Sequence, residues 1–253
     1  MTPLGSHLAA GPDAAGAERA YLTLFGAPEP GLRVRTRRVL GAVRQLAPRR
    51  VLDAGCGAGF VSIALAQSMP GAEVVGIDTS AAQVAKADDV ARAARAENVS
   101  FKVASVDALD ASASFDAAVV ADALEYMRDP GAALLAIRGA LRPGGAVVVH
   151  CRAVPTPRYL RSFKRADPFR DGRTREGYTE AELRETLTAA GFDMQSVART
   201  FALPAELAYE LADPELGWFR SRGARAAVAP LLVAVSLLPA PGAAAGLLAV
   251  ARR

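Results

Sequence analysis

One stretch constrains this chain more than any other: Val51-Leu52-Asp53-Ala54-Gly55-Cys56-Gly57-Ala58-Gly59-Phe60. An apolar run ends in an acid, alternating glycines follow, and a helical pattern opens at Val61, Ile63, Ala64 and Leu65. Glycine admits backbone angles closed to other residues and lets a ligand approach the chain. The first turn of a helix leaves N–H groups free to face that ligand. Strand, turn and helix in this order predict the opening βα unit of an α/β sheet, with a nucleotide-like cofactor at the turn.

The rest of the chain repeats the unit. Strands are expected at Val51–Ala54, Glu73–Ile77, Val99–Ala104, Phe115–Val120 and Ala146–Cys151. Helices are expected from the glycine turn to Met69, at Ala81–Ala96 and at Pro130–Leu141, and Leu141–Gly145 reads as a turn. Strands separated by helices predict a parallel sheet with right-handed crossovers. Their continuous apolar character fits a sheet covered on both faces. Thr179 with Glu182 is a capping box that opens a further helix, and Gly191 ends it. Phe192–Phe201 and Gly246–Arg252 complete the strands. At 253 residues with 51% hydrophobic and 22% charged content, the chain suits one such domain.

In open α/β sheets, ligands bind at the carboxyl ends of the strands. Polar residues fall there: Asp53 after the first strand, Asp78 and Thr79 after the second, Asp107 and Ala108 after the third. Ala121-Asp122-Ala123-Leu124-Glu125-Tyr126 follows the fourth. A dinucleotide fingerprint reads G-x-G-x-x-G, but Phe60 stands where its third glycine belongs. A carboxylate at Asp53 suits an ammonium group better than a pyrophosphate.

These residues resemble the class I S-adenosylmethionine-dependent methyltransferases of small-molecule type. The likeness rests on Val51–Phe60, Gly76-Ile77-Asp78-Thr79-Ser80, Val106-Asp107-Ala108, Phe115–Pro130 and Leu141–Gly145, and covers roughly residues 35 to 200 plus a final strand. It implies a Rossmann-like, doubly wound, seven-stranded, mostly parallel sheet whose last strand is antiparallel, with N-terminal lid helices and inserted C-terminal helices. It implies S-adenosylmethionine as cofactor and S-adenosylhomocysteine as product. Asp53, Gly55, Cys56 and Gly57 would meet the amino-acid tail, Asp78 and Thr79 the ribose, Asp107 and Ala108 the adenine, and Ala121 the region of the donor methyl. Tyr21 is the expected lid residue. Where the family often has Leu-Glu-His, this chain has Leu124-Glu125-Tyr126, so a histidine base is absent from that place.

Residues 1–17 read as a mobile tail, followed by a single domain over 18–253. Residues 18–46 hold apolar positions interleaved with Arg33, Arg35, Arg37, Arg38 and Arg44. They read either as a solvated basic face or as a lid. Residues 152–178 carry eight basic residues against three acidic, a net +5 beside +4 for the whole chain. This insertion reads as a solvated loop or as a clamp on an anionic group, with Arg152, Arg175 and Tyr178 as substrate-binding candidates. No nucleic-acid partner is expected, because no RNA-binding module is visible. Residues 203–238 are an apolar helical insertion, read as Pro204–Leu211, Glu215–Arg225 and Ala226–Leu238. Prolines at 230, 239 and 241 make the apolar run too short to span a bilayer. Cover over a hydrophobic acceptor pocket is favoured, and a peripheral membrane contact is the alternative.

Methyl transfer needs alignment above all, and a base only where the acceptor loses a proton. His150, Tyr126 and Glu125 are the catalytic candidates, with Asp122 beside them; His150 reads equally as a structural hydrogen-bonder. No metal cluster stands out. Cys56 and Cys151 lie about two strand spacings apart, roughly 9–10 Å, so they are expected as reduced thiols in the cytoplasm. No secretory signal is evident. The expected function is methylation of a largely apolar small molecule, such as a natural product, isoprenoid or lipid, with or without an anionic end. A nicotinamide-dependent oxidoreductase and a non-catalytic cofactor-binding module are the alternatives.

Overall fold

The computed structural model describes residues 30–109, 112–156, 172–201, 203–212, 222–236 and 245–253, with isolated positions 16 and 20. Most of the expected tail, Tyr21, and Arg158, Arg161, Lys164, Arg165 and Arg170 lie outside the described residues. The elements run α1 (Pro30–Leu46), β1 (Arg50–Ala54), α2 (Phe60–Ser68), β2 (Glu73–Asp78), α3 (Ala81–Ala93), β3 (Val99–Val103), β4 (Phe115–Ala121), α4 (Pro130–Ala140), β5 (Leu141–Arg152), α5 (Glu180–Ala189), β6 (Asp193–Thr200), α6 (Leu203–Ala212), α7 (Arg222–Ser236) and β7 (Gly246–Arg252). Short 3-10 turns follow β3 at Val106–Ala108 and β4 at Leu124–Tyr126.

The seven strands form one sheet in the order β3-β2-β1-β4-β5-β7-β6. Pairings from β3 across to β5 are parallel, and β7 runs antiparallel to both β5 and β6. The order reverses between β1 and β4, and this switch point opens a crevice at their carboxyl ends. Alternation along each strand, hidden in the apolar runs, sends side chains to two cores. Leu52, Val75, Ala118, Val120, Val147 and Val149 pack with Leu134, Ile137, Leu183 and Leu187 of α4 and α5. Val51, Val74, Ala117, Val119 and Val148 pack on the other face with Val39 and Val43 of α1 and Leu65 of α2.

Local chemistry sets the helix ends. Ser80 caps α3 by accepting from the Gln83 N–H, and Asp129 caps α4 by accepting from the Ala132 N–H, with Pro130 in the first turn. The Thr179–Glu182 capping box opens α5 as expected, and Gly191 follows it at φ 81.

The structure differs from the sequence reading in three places. The turn expected at Leu141–Gly145 is a bulge within β5: Leu141 pairs with Phe115 and Ala146 with Ala117, so five steps on one strand oppose two on the other. Phe115 and Leu141 are both buried in the core, which keeps the strand paired on either side of the bulge. The stretches divided at 225/226 are one helix, α7, continuous through Pro230. Leu232 and Val233 are buried in it, so packing on α6 outweighs the backbone hydrogen bond that proline removes. Finally, α1 is one helix from Pro30 onward, and its arginines do not share one environment. Arg37, Arg38 and Arg44 are exposed, whereas Arg35 turns inward.

Candidate active site

A cavity of about 450 Å³ opens at the β1/β4 switch point. Its wall includes Asp53, the loop Gly55–Ala58, Phe60 and Val61 at the start of α2, and Ala121, Asp122, Glu125 and Tyr126 after β4. His150 and Arg152 of β5, together with Gly31, Leu32 and Arg35 of α1, complete much of the boundary.

The glycine loop owes its shape to β2. The Gly55 and Cys56 N–H groups both donate to the Ile77 carbonyl, at 2.8 and 2.9 Å. Asp78 Oδ2 accepts from the Gly57 N–H at 2.9 Å, and its Oδ1 accepts from the Ser80 N–H at 2.9 Å. Gly55, Gly57 and Gly59 all take positive φ, at 78, 52 and 77°. Each does so for a different neighbour. A Cβ at Gly55 would lie 2.6 Å from the Ala123 Cβ, and one at Gly59 would meet Phe101 at 2.7 Å. A Cβ at Gly57 would meet nothing within 4 Å, because that face looks onto the cavity. Gly59 also leaves α2 without a side-chain cap.

Asp53 is buried at 1% exposure, and the Ser62 hydroxyl donates to its Oδ2 at 2.5 Å. Burial raises its pKa from the ordinary 3.8 to about 6, with the Asp78 charge adding to the rise and Ser62 and Arg35 opposing it. A cation in the cavity would relieve this carboxylate. The residues present therefore fit the ammonium end of an amino-acid tail.

On the β4 side, four side chains form a chain of polar contacts. Arg35 pairs through Nη1 with Asp122 Oδ2. His150 Nδ1 meets Asp122 Oδ1 at 2.5 Å, and its Nε2 meets Thr200 Oγ1 at 2.9 Å. His150 and Thr200 are each 2% exposed, while the Asp122 side chain keeps 37%. Burial favours the protonated Asp122, but Arg35 and His150 outweigh it and hold the carboxyl well below the usual carboxylate range. Asp122 also takes φ 51°, a left-handed conformation that aspartate tolerates better than most residues. Gly246 makes the far end of this chain attainable: a Cβ there would fall 2.3 Å from Thr200 Oγ1 and 3.1 Å from His150 Nε2.

Other expected residues take different places. Glu125 is 2% exposed; its Oε1 accepts from the Arg152 N–H at 2.5 Å and its carbonyl accepts from the Thr174 N–H at 2.8 Å. Burial, then the Asp122 charge, pushes its pKa up. Tyr126 borders the cavity at 43% exposure, and its hydroxyl accepts from Arg173 Nε at 3.2 Å. Asp107 sits exposed on the 3-10 turn, where Ser105 hydrogen-bonds it and lowers its pKa; Ala108 and Thr79 are exposed as well. Asp78, Thr79, Asp107 and Ala108 do not border the cavity.

Nor do Arg175 and Tyr178. Tyr178 is fully buried in the core, its hydroxyl has no hydrogen-bond partner among the described residues, and the Arg175 guanidinium lies 3.7 Å from its ring centre. Burial raises its pKa to about 12. Both cysteines are free thiols, and burial raises the pKa of each.

Sequence reasoning missed Arg35 as an individual, along with Ser62, Thr200 and Gly246. Two of these left a trace. Ser62 is the one hydroxyl within the apolar run Phe60–Ala66, and Arg35 shares a helix face with Gly31 and Leu32.

With this geometry established, comparison with known proteins defines the class. A family profile described as a methyltransferase domain matches residues 47–191. The chain belongs to that family. A demethylmenaquinone methyltransferase of Thermus thermophilus is 31% identical over 192 residues, covering 67% of this chain and 86% of that protein. A ubiquinone biosynthesis O-methyltransferase of Paracidovorax citrulli is 37% identical over 113 residues, covering 43% of this chain and 47% of that protein. The chain thus spans about half the length of several curated relatives that it matches. Among solved structures, the cyclase SpnF shares the fold at TM-score 0.61 and 24% identity, covering 86% of this chain and 81% of that one. A Burkholderia thailandensis 1,6-didemethyltoxoflavin-N1-methyltransferase, solved with bound 1,6-didemethyltoxoflavin and S-adenosylhomocysteine, does so at TM-score 0.56 and 22% identity, covering 89% of this chain and 79% of that one.

Proposed function

We propose that this protein transfers a methyl group from S-adenosylmethionine to a largely apolar small molecule. The observation that carries the reading is the buried Asp53 carboxylate set against a glycine loop at the β1/β4 crevice. The cofactor supplies an activated methyl group. Asp53 would face its ammonium and the Gly55–Gly57 backbone would lie against its amino-acid tail, while Asp78, outside the cavity wall, holds that loop and would offer its remaining lone pairs to the ribose. Asp107 and Ala108, exposed outside the cavity wall, would meet the adenine, and Ala121 on the wall would lie beside the donor methyl. The names of the two quinone-pathway relatives support an apolar ring as acceptor.

The apolar insertion is read as cover for that acceptor. Helices α6 and α7 pack on each other and both touch α1, which borders the cavity. No described helix is long and apolar enough to cross a membrane. Arg152 and Arg173 border the cavity, where an anionic end of the acceptor would meet them; behind Arg152, the Tyr178 N–H donates to its carbonyl and the Arg175 guanidinium covers the Tyr178 ring.

Titration calorimetry tests the reading. S-adenosylmethionine and S-adenosylhomocysteine are expected to bind in the micromolar range and NAD not to bind. Asp78→Ala should abolish the binding. Unchanged affinity in that variant would mean that the cofactor lies elsewhere.

A further inference from the structure

The chain Arg35–Asp122–His150–Thr200 bears on a question that the family leaves open, namely which kind of atom receives the methyl. His150 is an unsuitable base for a molecule in the cavity. Its Nδ1 is taken by Asp122 at 2.5 Å, its Nε2 by Thr200 at 2.9 Å, and the ring is 2% exposed. With Asp122 anionic, the Nδ1 position must carry a proton, and Nε2 has the Thr200 hydroxyl as its partner. Thr200 occupies the place of a nucleophile beside a His–Asp pair, but at 2% exposure it is sealed from the cavity. The member of the chain that reaches the cavity as an acceptor is Asp122. Its side chain is 37% exposed on the wall, and its backbone is held at φ 51°. Arg35 uses one lone pair of Oδ2 and His150 one of Oδ1, so each oxygen keeps a second.

We propose that Asp122, fixed between Arg35 and His150, accepts a hydrogen bond from an O–H group of the methyl acceptor and thereby aims that oxygen at the donor methyl. Asp122 is then a catalytic residue, and Arg35 and His150 are positioning residues that act through it. The proposal rests on the methyltransferase reading above and deepens it. It assigns a hydroxyl as the group of the acceptor that Asp122 holds. A neutral hydroxyl is favoured over an ammonium because Arg35 already balances the Asp122 charge. A second cation would gain little there, whereas an O–H needs only a free lone pair.

The chemistry balances. The acceptor oxygen's lone pair forms the O–C bond as the S–C pair returns to sulfur, leaving a neutral thioether. The methylated oxygen, still protonated, is far more acidic than any carboxylic acid. It passes its proton to Asp122, which releases it to solvent through its exposed edge.

The test needs no natural acceptor. The chain has two histidines, His7 and His150, so ¹⁵N-histidine labelling with His7→Gln leaves the His150 ring as the single imidazole reporter. In protein saturated with S-adenosylhomocysteine, His150 should show a strongly deshielded Nδ1 proton. Phenol should move that signal in a saturable way. Anisole, which lacks only the O–H donor, should not, and benzylamine should bind less well than phenol. Asp122→Asn, an isosteric change to a residue that also tolerates positive φ, should weaken the phenol response about tenfold or more, as expected for losing a hydrogen bond to a charged group. His150→Gln removes the reporter, so phenol binding to it is read by titration calorimetry beside the unaltered protein, and it should be weaker with Asp122 still present. Equal binding of phenol and anisole, or an unchanged phenol affinity in Asp122→Asn, would overturn the proposal. Preference for benzylamine would overturn the hydroxyl assignment. Failure of S-adenosylhomocysteine to bind at all would remove the methyltransferase reading and this proposal together.

Discussion

Asp53→Asn separates stability from binding and can be worked from the structure. Asp53 is 1% exposed, and burial lifts its pKa from 3.8 to about 6. That is a rise of about two pH units, each worth about 1.4 kcal/mol, so ionising Asp53 in the empty cavity costs about 3 kcal/mol. The sign follows from linkage. The folded state holds this proton more tightly than the unfolded state does. The stability associated with it is fully present below pH 4, falls as pH rises through 6, and stays lost above that.

Asparagine has the same shape, accepts from Ser62 through its amide oxygen and never ionises. Denaturant unfolding of both proteins without cofactor, from pH 4 to 8, should therefore show a difference that grows between pH 4 and 6. It should level near 3 kcal/mol in favour of the variant, with other titrating groups cancelling in the comparison. Calorimetry should show the opposite trend, with S-adenosylhomocysteine binding lost in the variant because the charge that faces its ammonium is gone. In the unaltered protein that binding should weaken below pH 6 and release a proton there. A variant that is less stable at pH 7.5, or a difference that is flat with pH, would refute this account of Asp53.

The loop glycines should fail in different ways. Gly55→Ala forces a contact of 2.6 Å with Ala123 at φ 78°. It should cost about 2–4 kcal/mol of stability, combining overpacking with left-handed strain, read from the thermal midpoint. Gly57→Ala meets open space at φ 52° and should cost only about 1 kcal/mol. Its cofactor affinity should nevertheless fall by more than its stability does. Tyr178→Phe removes a buried hydroxyl that has no hydrogen-bond partner among the described residues. It should be neutral or stabilising by up to about 1 kcal/mol, with methyl transfer intact; a loss of acceptor binding without a loss of stability would put Tyr178 in the acceptor site. Glu125→Gln should become more stable relative to the unaltered protein as pH rises, since burial raises the pKa of Glu125.

The cofactor half of the site was legible because it is local. A strand, a glycine turn and a helix start are contiguous, and Asp53 with Gly55–Gly57 does face the cavity. Asp78 was legible as a strand-end acid, although its two backbone hydrogen bonds brace the glycine loop, a role that no spacing reveals. The acceptor half was only partly legible. Asp122 and His150 were visible as strand-end residues. Their meeting depends on β4 and β5 being neighbours in register, with Ala121 opposite His150. Arg35 looked like its exposed neighbours Arg37 and Arg38, since nothing in a run of arginines says which one turns inward. Tyr178 and Arg175 stood before a helix near the expected pocket, but the core claimed the ring and the guanidinium settled over it.

The sequence by itself determined the fold class, the cofactor turn and the helix caps. These depend on hydrophobic period, on glycine's dihedral freedom and on side chains that bond within three or four residues. Tertiary structure alone decided the chemistry on the acceptor side. The Arg35–Asp122–His150–Thr200 chain draws on α1, β4, β5 and β6, and it closes only because Gly246 of β7 leaves room beside Thr200 and His150. Contacts between residues 28, 50 and 87 positions apart are set by sheet order and packing, and no local pattern in the chain encodes them.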